Sequence, residues 1–80
     1  MYKVKDFEKL KEFGFKEYKS GFSKKVIGKN YDFLDVTFDD RIVKTVKIVN
    51  GNFVYEIAEK SDLADLIKGK VVKKADDCKI

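Results

Sequence analysis

The chain is poor in the side chains that carry most protein chemistry. Its 80 residues contain no histidine, no tryptophan, no proline and one cysteine, Cys78. Imidazole and thiolate are the groups that act as bases, nucleophiles or metal ligands near neutral pH with little tuning. We therefore expect no catalytic residue, no metal site and no cofactor. One cysteine cannot form an internal disulfide, which is typical of a reducing compartment, although an exposed Cys78 can still cross-link two copies.

Long apolar segments are also missing. No run approaches the roughly 18 residues of a membrane-spanning helix, and the first residues turn charged without the apolar stretch of a signal peptide. We expect a cytoplasmic protein without a membrane partner. The composition is 44% hydrophobic, 14% aromatic and 40% charged, which suits one small folded domain rather than a disordered chain. We assign residues 1–74 to that domain and residues 75–80 to a flexible tail.

Two short helices are predicted, one near each end of the chain. Asp6 is a suitable N-cap for a helix over residues 7–13, and Gly14 suits the left-handed position that ends it. The closing helix is expected to start at a cap, Ser61 or Asp62, and to end at Gly69. Its apolar stripe consists of Leu63, Leu66 and Ile67.

Between the helices, apolar and polar residues alternate as in β-strands. Asn50–Gly51 tolerates the positive φ angles of a type I′ turn and predicts a β-hairpin, and Asp39–Asp40 predicts a second two-residue turn. The fold class is α+β: a helix, an antiparallel meander of about four strands and a closing helix, with both helices on one face of the sheet. A short edge strand can follow at residues 70–73. The segments with strand character are 15–19, 22–27, 31–38, 41–49 and 52–58.

One strand carries a conflict in its pattern. Lys44 falls in line with the apolar residues Ile42, Val46 and Ile48, while Lys47 interrupts the alternate set. Either a β-bulge shifts the register, or both faces are partly buried and Lys44 extends outward from beneath its neighbours.

Lysine blocks give the chain a local basic character that permits nucleic-acid binding. Residues 16–29 and 68–74 each carry a net charge of +4. Tyr18, Phe22 and Tyr31 are aromatic residues that can stack on bases. Lysine-rich surfaces also serve solubility, and the near absence of arginine disfavours bidentate phosphate contacts. In this alternative the binding residues are Lys16, Lys19, Lys24, Lys25, Lys73 and Lys74.

The remaining polar and aromatic sets have ordinary structural explanations. The aspartates Asp32, Asp35, Asp39 and Asp40 invite comparison with a calcium site or a phosphate mimic, but strand alternation places Asp32 and Asp35 on opposite faces. The five glycines are isolated from one another in the sequence, and each is expected at a turn or a helix end. Ser61 is better used as a cap than as a nucleophile. Core packing is the expected role of Phe7, Phe13, Phe15, Phe22, Phe33, Phe38 and Phe53.

Two segments carry a resemblance to a class of proteins. Residues 6–16, with the sequence DFEKLKEFGFK, and residues 61–74, with the sequence SDLADLIKGKVVKK, resemble the bracketing segments of small uncharacterised phage and prophage proteins of Firmicutes. Together they cover about 25 residues, and the matching positions cap and pack helices. The resemblance implies the helix, sheet, helix order. It brings no catalytic or binding residue with it.

The leading hypothesis from the sequence is therefore a non-enzymatic interaction module. We expect a phage or prophage accessory protein that binds a host or phage protein through its sheet or an exposed hairpin edge, for example as an inhibitor of a host defence enzyme. The alternative is a small basic nucleic-acid-binding regulator. A third hypothesis is self-association, in which strand edges pair between copies.

Overall fold

The structure, a computed structural model, contains two antiparallel sheets and describes residues 1–75. Five strands form a meander in the order β2-β3-β4-β5-β6, and the first and last strands form a separate pair, β1-β7. Of the predicted tail, residues 75–80, the structure describes only Ala75; the rest, including Cys78, lies outside the described residues. The strands are β1 (Tyr2–Val4), β2 (Lys16–Tyr18), β3 (Gly21–Lys25), β4 (Phe33–Thr37), β5 (Lys44–Val49), β6 (Asn52–Ile57) and β7 (Val72–Lys74).

The α+β class and the antiparallel meander are confirmed, but the number and arrangement of strands differ from the prediction. The meander has five strands, since both weakly patterned segments before residue 28 pair within it. The predicted edge strand near residue 72 exists. It pairs with β1, a strand that was not predicted, instead of joining the meander.

The first helix spans Phe7–Phe13 as predicted, and its hydrogen bonding is that of a 3-10 helix. Phe7, Leu10 and Phe13 recur every three residues, which is the repeat of a 3-10 helix, so all three meet the core. Asp6 caps the start by accepting a bond from the Glu8 amide over 3.1 Å. Gly14, at φ 92°, ends the helix in the left-handed conformation.

The closing helix is interrupted and is capped differently from the prediction. A 3-10 turn at Lys60–Leu63 leads into an α-helix, α1, over Ala64–Lys68. The cap is Glu59, whose amide donates to Asp62 Oδ2 over 2.8 Å, so Ser61 does not have the predicted capping role. The helix ends before Gly69, as expected.

The predicted two-residue turn at Asp39–Asp40 is wrong. β5 begins only at Lys44, because Ile42 forms a bridge with Lys3 of β1 and is thereby drawn away from the meander. Arg41 adopts φ 61°, and the Asp40 carboxylate accepts a bond from the Ile42 amide over 2.9 Å. A long-range strand pairing therefore sets the geometry of this connection.

The core lies between one face of the meander, the two helices and the β1-β7 pair. From the sheet it takes Phe22, Leu34 and Val36, and the helices add buried leucines. Gly21, predicted to lie in a turn, instead begins β3. An added Cβ there would overlap the Val36 carbonyl oxygen and approach Thr37 Cα to 2.7 Å. The other buried members are Val4, Leu10, Phe15, Tyr31, Val43, Ala58, Leu63, Leu66, Val71 and Val72.

The hairpin of β5 and β6 has the predicted type of turn. Asn50 and Gly51 have φ values of 51° and 80°, as a type I′ turn requires. The six pairs from Lys44–Ile57 to Val49–Asn52 are consecutive, so no bulge interrupts this register. Lys44 is half-buried, and its Nζ reaches Asp40. Of the two alternatives considered for this strand, the structure therefore has the one in which Lys44 extends outward from beneath its neighbours. Within residues 1–75, no helix combines the length and apolar character needed to cross a bilayer.

Candidate functional site

The meander presents one face that no helix or strand within residues 1–75 covers, and we call it the open face. Strand register places its side chains in rows that cross the sheet, because alternate residues of a strand point to the same side. One row runs through Lys25, Phe33, Val46 and Tyr55. The neighbouring row spans all five strands and consists of Lys16, Ser23, Asp35, Lys44 and Ile57.

Apolar side chains dominate the part of the open face formed by the hairpin. Phe53 is 62% exposed, Tyr55 54% and Ile48 47%. Val46 lies between its cross-strand neighbours Phe33 and Tyr55 and is buried, although it is outside the core cluster. A shallow depression of about 270 Å³ lies among these residues and is also lined by Ser23 and Asp35. Contiguous exposed apolar surface of this kind is typical of interaction sites.

A polar pair borders the apolar area. The Tyr18 hydroxyl donates a 2.6 Å hydrogen bond to Asp35 Oδ1. Tyr18 lies opposite Gly21 in the pairing of β2 with β3, and its side chain reaches across β3 to β4. Burial, and then the hydrogen bond and negative charge of Asp35, raise the pKa of Tyr18 well above its ordinary value of 10.0. The Tyr18 phenol therefore stays protonated and holds Asp35 in place at neutral pH.

A second polar group closes the end of the open face near Lys44. Its Nζ lies 2.7 Å from Asp40 Oδ2, and Thr37 Oγ1 donates to Asp40 Oδ1 over 3.1 Å. Burial alone would raise the pKa of Asp40. Hydrogen bonds from Lys44, the Ile42 amide and Thr37 outweigh that effect and lower the pKa below its ordinary value of 3.8. The Asp40 carboxylate therefore stabilises the connection between β4 and β5 through these bonds.

The outer edge of β6 has no strand neighbour among the described residues, and all six of its residues are exposed. The Ala58 amide donates to the Val43 carbonyl over 3.1 Å, which continues the ladder that includes the Thr45–Glu56 pair. Antiparallel pairs alternate between bonded and non-bonded types, and a two-residue hairpin turn closes with a bonded pair. The peptide groups that point away from β5 are therefore those of Phe53, Tyr55 and Ile57.

The two edges of the meander differ in how well they are protected. The β2 edge is three residues long and carries Lys16 and Glu17, and short charged edges discourage pairing with other chains. The β6 edge is six residues long, with the sequence NFVYEI. It contains no lysine or proline, although the chain has 18 lysine and arginine residues. β6 is consequently a ready template for strand addition.

The four aspartates do not converge on a common point. Asp32, Asp35 and Asp40 each accept a hydrogen bond from a different part of the meander. Asp32, which directly precedes β4, accepts a hydrogen bond at Oδ2 from the Ile48 amide over 2.9 Å. Asp35 accepts from Tyr18, and Asp40 binds the turn described above. Within residues 1–75 there is no group of three or more acidic or cysteine side chains that could hold a metal ion.

The six lysines of the nucleic-acid alternative occupy different surfaces. Lys16 and Lys25 share the open face, whereas Lys24 points to the opposite face, with its Nζ 5.9 Å from the centre of the Phe15 ring. Lys19 lies in the turn between β2 and β3. Lys73 and Lys74 belong to β7 in the second sheet. A separate shallow depression of about 280 Å³ is lined by Lys3, Val4, Lys5, Arg41 and Lys73.

Phe53 was predicted to lie in the core with the other phenylalanines. In the structure Phe15 and Phe22 are buried, and Phe7, Phe13 and Phe33 are partly buried. Phe53 and Phe38 are exposed, although the Phe38 ring contacts the rings of Phe7 and Phe22. Both alternate sets of β6 include apolar residues, so periodicity could not identify the covered face. Lysine is absent between residues 48 and 59, but it is also absent from residues 30–40, which include the central strand β4, so its absence alone could not identify β6 as an edge. Comparison with protein-family models, curated proteins and solved structures finds no significant match to this chain.

Proposed function

We propose that this protein is a non-enzymatic interaction module that binds a partner protein through the open face. The exposed apolar area of Ile48, Phe53 and Tyr55 is the observation that supports this proposal most directly. Aromatic residues on a rigid sheet lose little conformational entropy on binding and are favoured at the centres of protein interfaces. The polar groups around them, Asp35 with Tyr18 and Lys44 with Asp40, are suited to an interface rim.

The biological setting remains the one suggested by the resemblance. We propose a phage or prophage accessory protein that acts in the cytoplasm of a low-GC Gram-positive host, for example as an inhibitor of a host defence enzyme, on the resemblance of residues 6–16 and 61–74. The absence of histidine and the scarcity of cysteine support a binding role over catalysis. Neither a cofactor nor a metal is required.

A capture experiment with matched variants tests the open face. Tagged wild-type protein, Ile48→Lys and Ile27→Lys are incubated with lysate of such a host, and the captured proteins are quantified by mass spectrometry. Ile27 is 87% exposed and lies outside the rows of the open face, so its replacement makes the same chemical change elsewhere. We expect specific proteins retained by the wild type and by I27K and lost with I48K. Equal capture by all three proteins, or capture of the protein itself alone, would contradict the proposal.

Nucleic-acid binding is the second candidate function. The depression lined by Lys3, Lys5, Arg41 and Lys73 is the observation that favours it, because it gathers four cations. The test is retardation of DNA and RNA in gels over a salt series. Log affinity for duplex DNA should fall by about 0.9 per log unit of salt for each phosphate contacted. Unchanged mobility at low salt would exclude this function.

A further inference from the structure

We infer that the β6 edge pairs with β6 of a second copy of this chain, in an antiparallel arrangement about a two-fold axis at Tyr55. The pairing would join two meanders into one continuous sheet and place their open faces side by side. It goes beyond the proposed function, because the pairing uses the outward backbone groups of β6, whereas partner binding uses side chains of the open face. Ile48→Lys changes the open face without changing the edge, so the two can be tested separately.

The backbone of β6 is self-complementary in one register. Phe53, Tyr55 and Ile57 direct their N–H and C=O groups outward, as the hairpin ladder requires. With Tyr55 opposite Tyr55 of the partner subunit, Phe53 faces Ile57 of the partner subunit. All the outward groups of these residues then pair, which gives about six hydrogen bonds between the copies. Shifting the register by two residues in either direction leaves some of these groups unpaired.

The side chains of the same register also match. On the open face, each aromatic residue of β6 gains an apolar or aromatic cross-strand neighbour, and such pairs stabilise sheets. On the other face, Val54 has Lys47 on one side, in β5, and would have the partner's Glu56 on the other. The lysine stem can lie over Val54 and bring its ammonium group toward that carboxylate. Charges of opposite sign are thus brought together across the axis.

The composition of this edge is also that of a pairing strand. Between residues 48 and 59 there is no lysine or arginine, whereas residues 16–29 and 68–74 of the same chain are rich in lysine. Edge strands of monomeric proteins are commonly protected by inward or edge lysines, proline or bulges. β6 has none of these, and its consecutive pairing with β5 shows a regular strand.

Sedimentation of the full chain over a concentration series tests the association. We expect the wild type to shift from monomer to dimer. Tyr55→Pro removes an outward N–H without removing a bond to β5, and should weaken dimerisation at least about tenfold. Ile48→Lys, which changes the open face and not the edge, should leave the dimer intact while abolishing partner capture. A wild-type monomer at every concentration would overturn the inference and would leave the proposed partner binding untouched.

Cross-linking tests the register and does not depend on the proline variant folding. Tyr55→Cys and Asn52→Cys are each made together with Cys78→Ser, so that each protein has one thiol. Residues 55 of the two copies would have Cα atoms about 5.5 Å apart, within the range of a disulfide, whereas residues 52 would lie about 20 Å apart. We expect disulfide-linked dimer from Y55C under mild oxidation and little from N52C. Equal cross-linking of the two variants, or none from Y55C, would refute the pairing.

Discussion

The side chain of Arg41 donates a hydrogen bond from Nε to the carbonyl oxygen of Val4 over 3.1 Å. Its Nη2 donates to the Lys5 carbonyl over 3.2 Å, and the guanidinium lies 5.0 Å from the centre of the Phe7 ring. The only arginine of the chain therefore fastens the N-terminal segment to the connection between β4 and β5. This role explains why a chain that otherwise uses lysine has arginine here, since only a guanidinium presents several donors in a fixed plane.

Arg41→Lys should accordingly destabilise the fold. Lysine can replace at most part of this bonding, so we expect the free energy of unfolding to fall by about 1–2 kcal/mol in urea titrations. Lys47→Arg is the matched control, because Lys47 is exposed at the hairpin and should change stability by less than about 0.5 kcal/mol. Equal stability of R41K and wild type would show that the Val4 and Lys5 bonds contribute nothing.

Gly21→Ala should be the most damaging glycine substitution on the sheet. The added methyl group would overlap the Val36 backbone, which the strand pairing holds in place. We expect a loss of about 3 kcal/mol or more, or failure to fold. Gly28→Ala is the control: Gly28 has φ 86° and no atom near its missing Cβ, so only the backbone strain of about 1 kcal/mol applies. Thermal unfolding followed by circular dichroism separates the two effects, and similar losses would refute the steric explanation.

Asp40 should make the stability depend on pH in the acid range. Its pKa is lowered in the folded state, so its contribution is present above the ordinary pKa of 3.8 and disappears as the pH falls through the folded value. Asp40→Asn should cost about 0.5–1 kcal/mol at pH 7, since the pair with Lys44 is partly exposed. The difference from wild type should vanish near pH 2. Asp39→Asn serves as the control in the same denaturant titrations, and a difference that persisted at pH 2 would rule out this linkage.

Tyr18→Phe should remove the hydrogen bond to Asp35 and cost about 0.5–1 kcal/mol at pH 8, because the pair is half exposed. The pKa of Tyr18 is raised on folding, so this contribution is complete below pH 10 and is lost as the pH rises through the folded value. The stability difference between wild type and Y18F should therefore shrink in strongly alkaline solution. Tyr55→Phe, at an exposed position of the open face, should change little, and an equal effect of both substitutions would argue against the Asp35 bond.

Local sequence signals predicted the local features of the fold well. Asp6 and Gly14 bound the first helix through interactions within a few residues, and Asn50–Gly51 determines the hairpin by its own φ preferences. The class of the fold followed from alternation and helix caps. These features depend on neighbours in sequence, which is why one sequence was enough to find them.

The features that escaped prediction depend on distant partners. The bridge between Lys3 and Ile42 shortens β5, and β1 forms by pairing with β7, about 70 residues later in the chain. Nothing close to these residues in sequence indicates either pairing. The number of meander strands depended on whether two weakly alternating segments pair. The open face could not be assigned because β5 and β6 carry apolar residues on both sides, and only the position of the helices determines which side is covered.

The pairing of β1 with β7 has a mechanical consequence. Tyr2 lies opposite Lys74 at one end of this ribbon and Val4 opposite Val72 at the other. A force that pulls residues 2 and 74 apart would act on the Tyr2–Lys74 pair first and would then separate the two strands one residue pair at a time. β1 is also bonded to residues 41–43, through the Val4 amide to the Arg41 carbonyl and the Val43 amide to the Tyr2 carbonyl, so tension on β1 would then pass to the connection between β4 and β5.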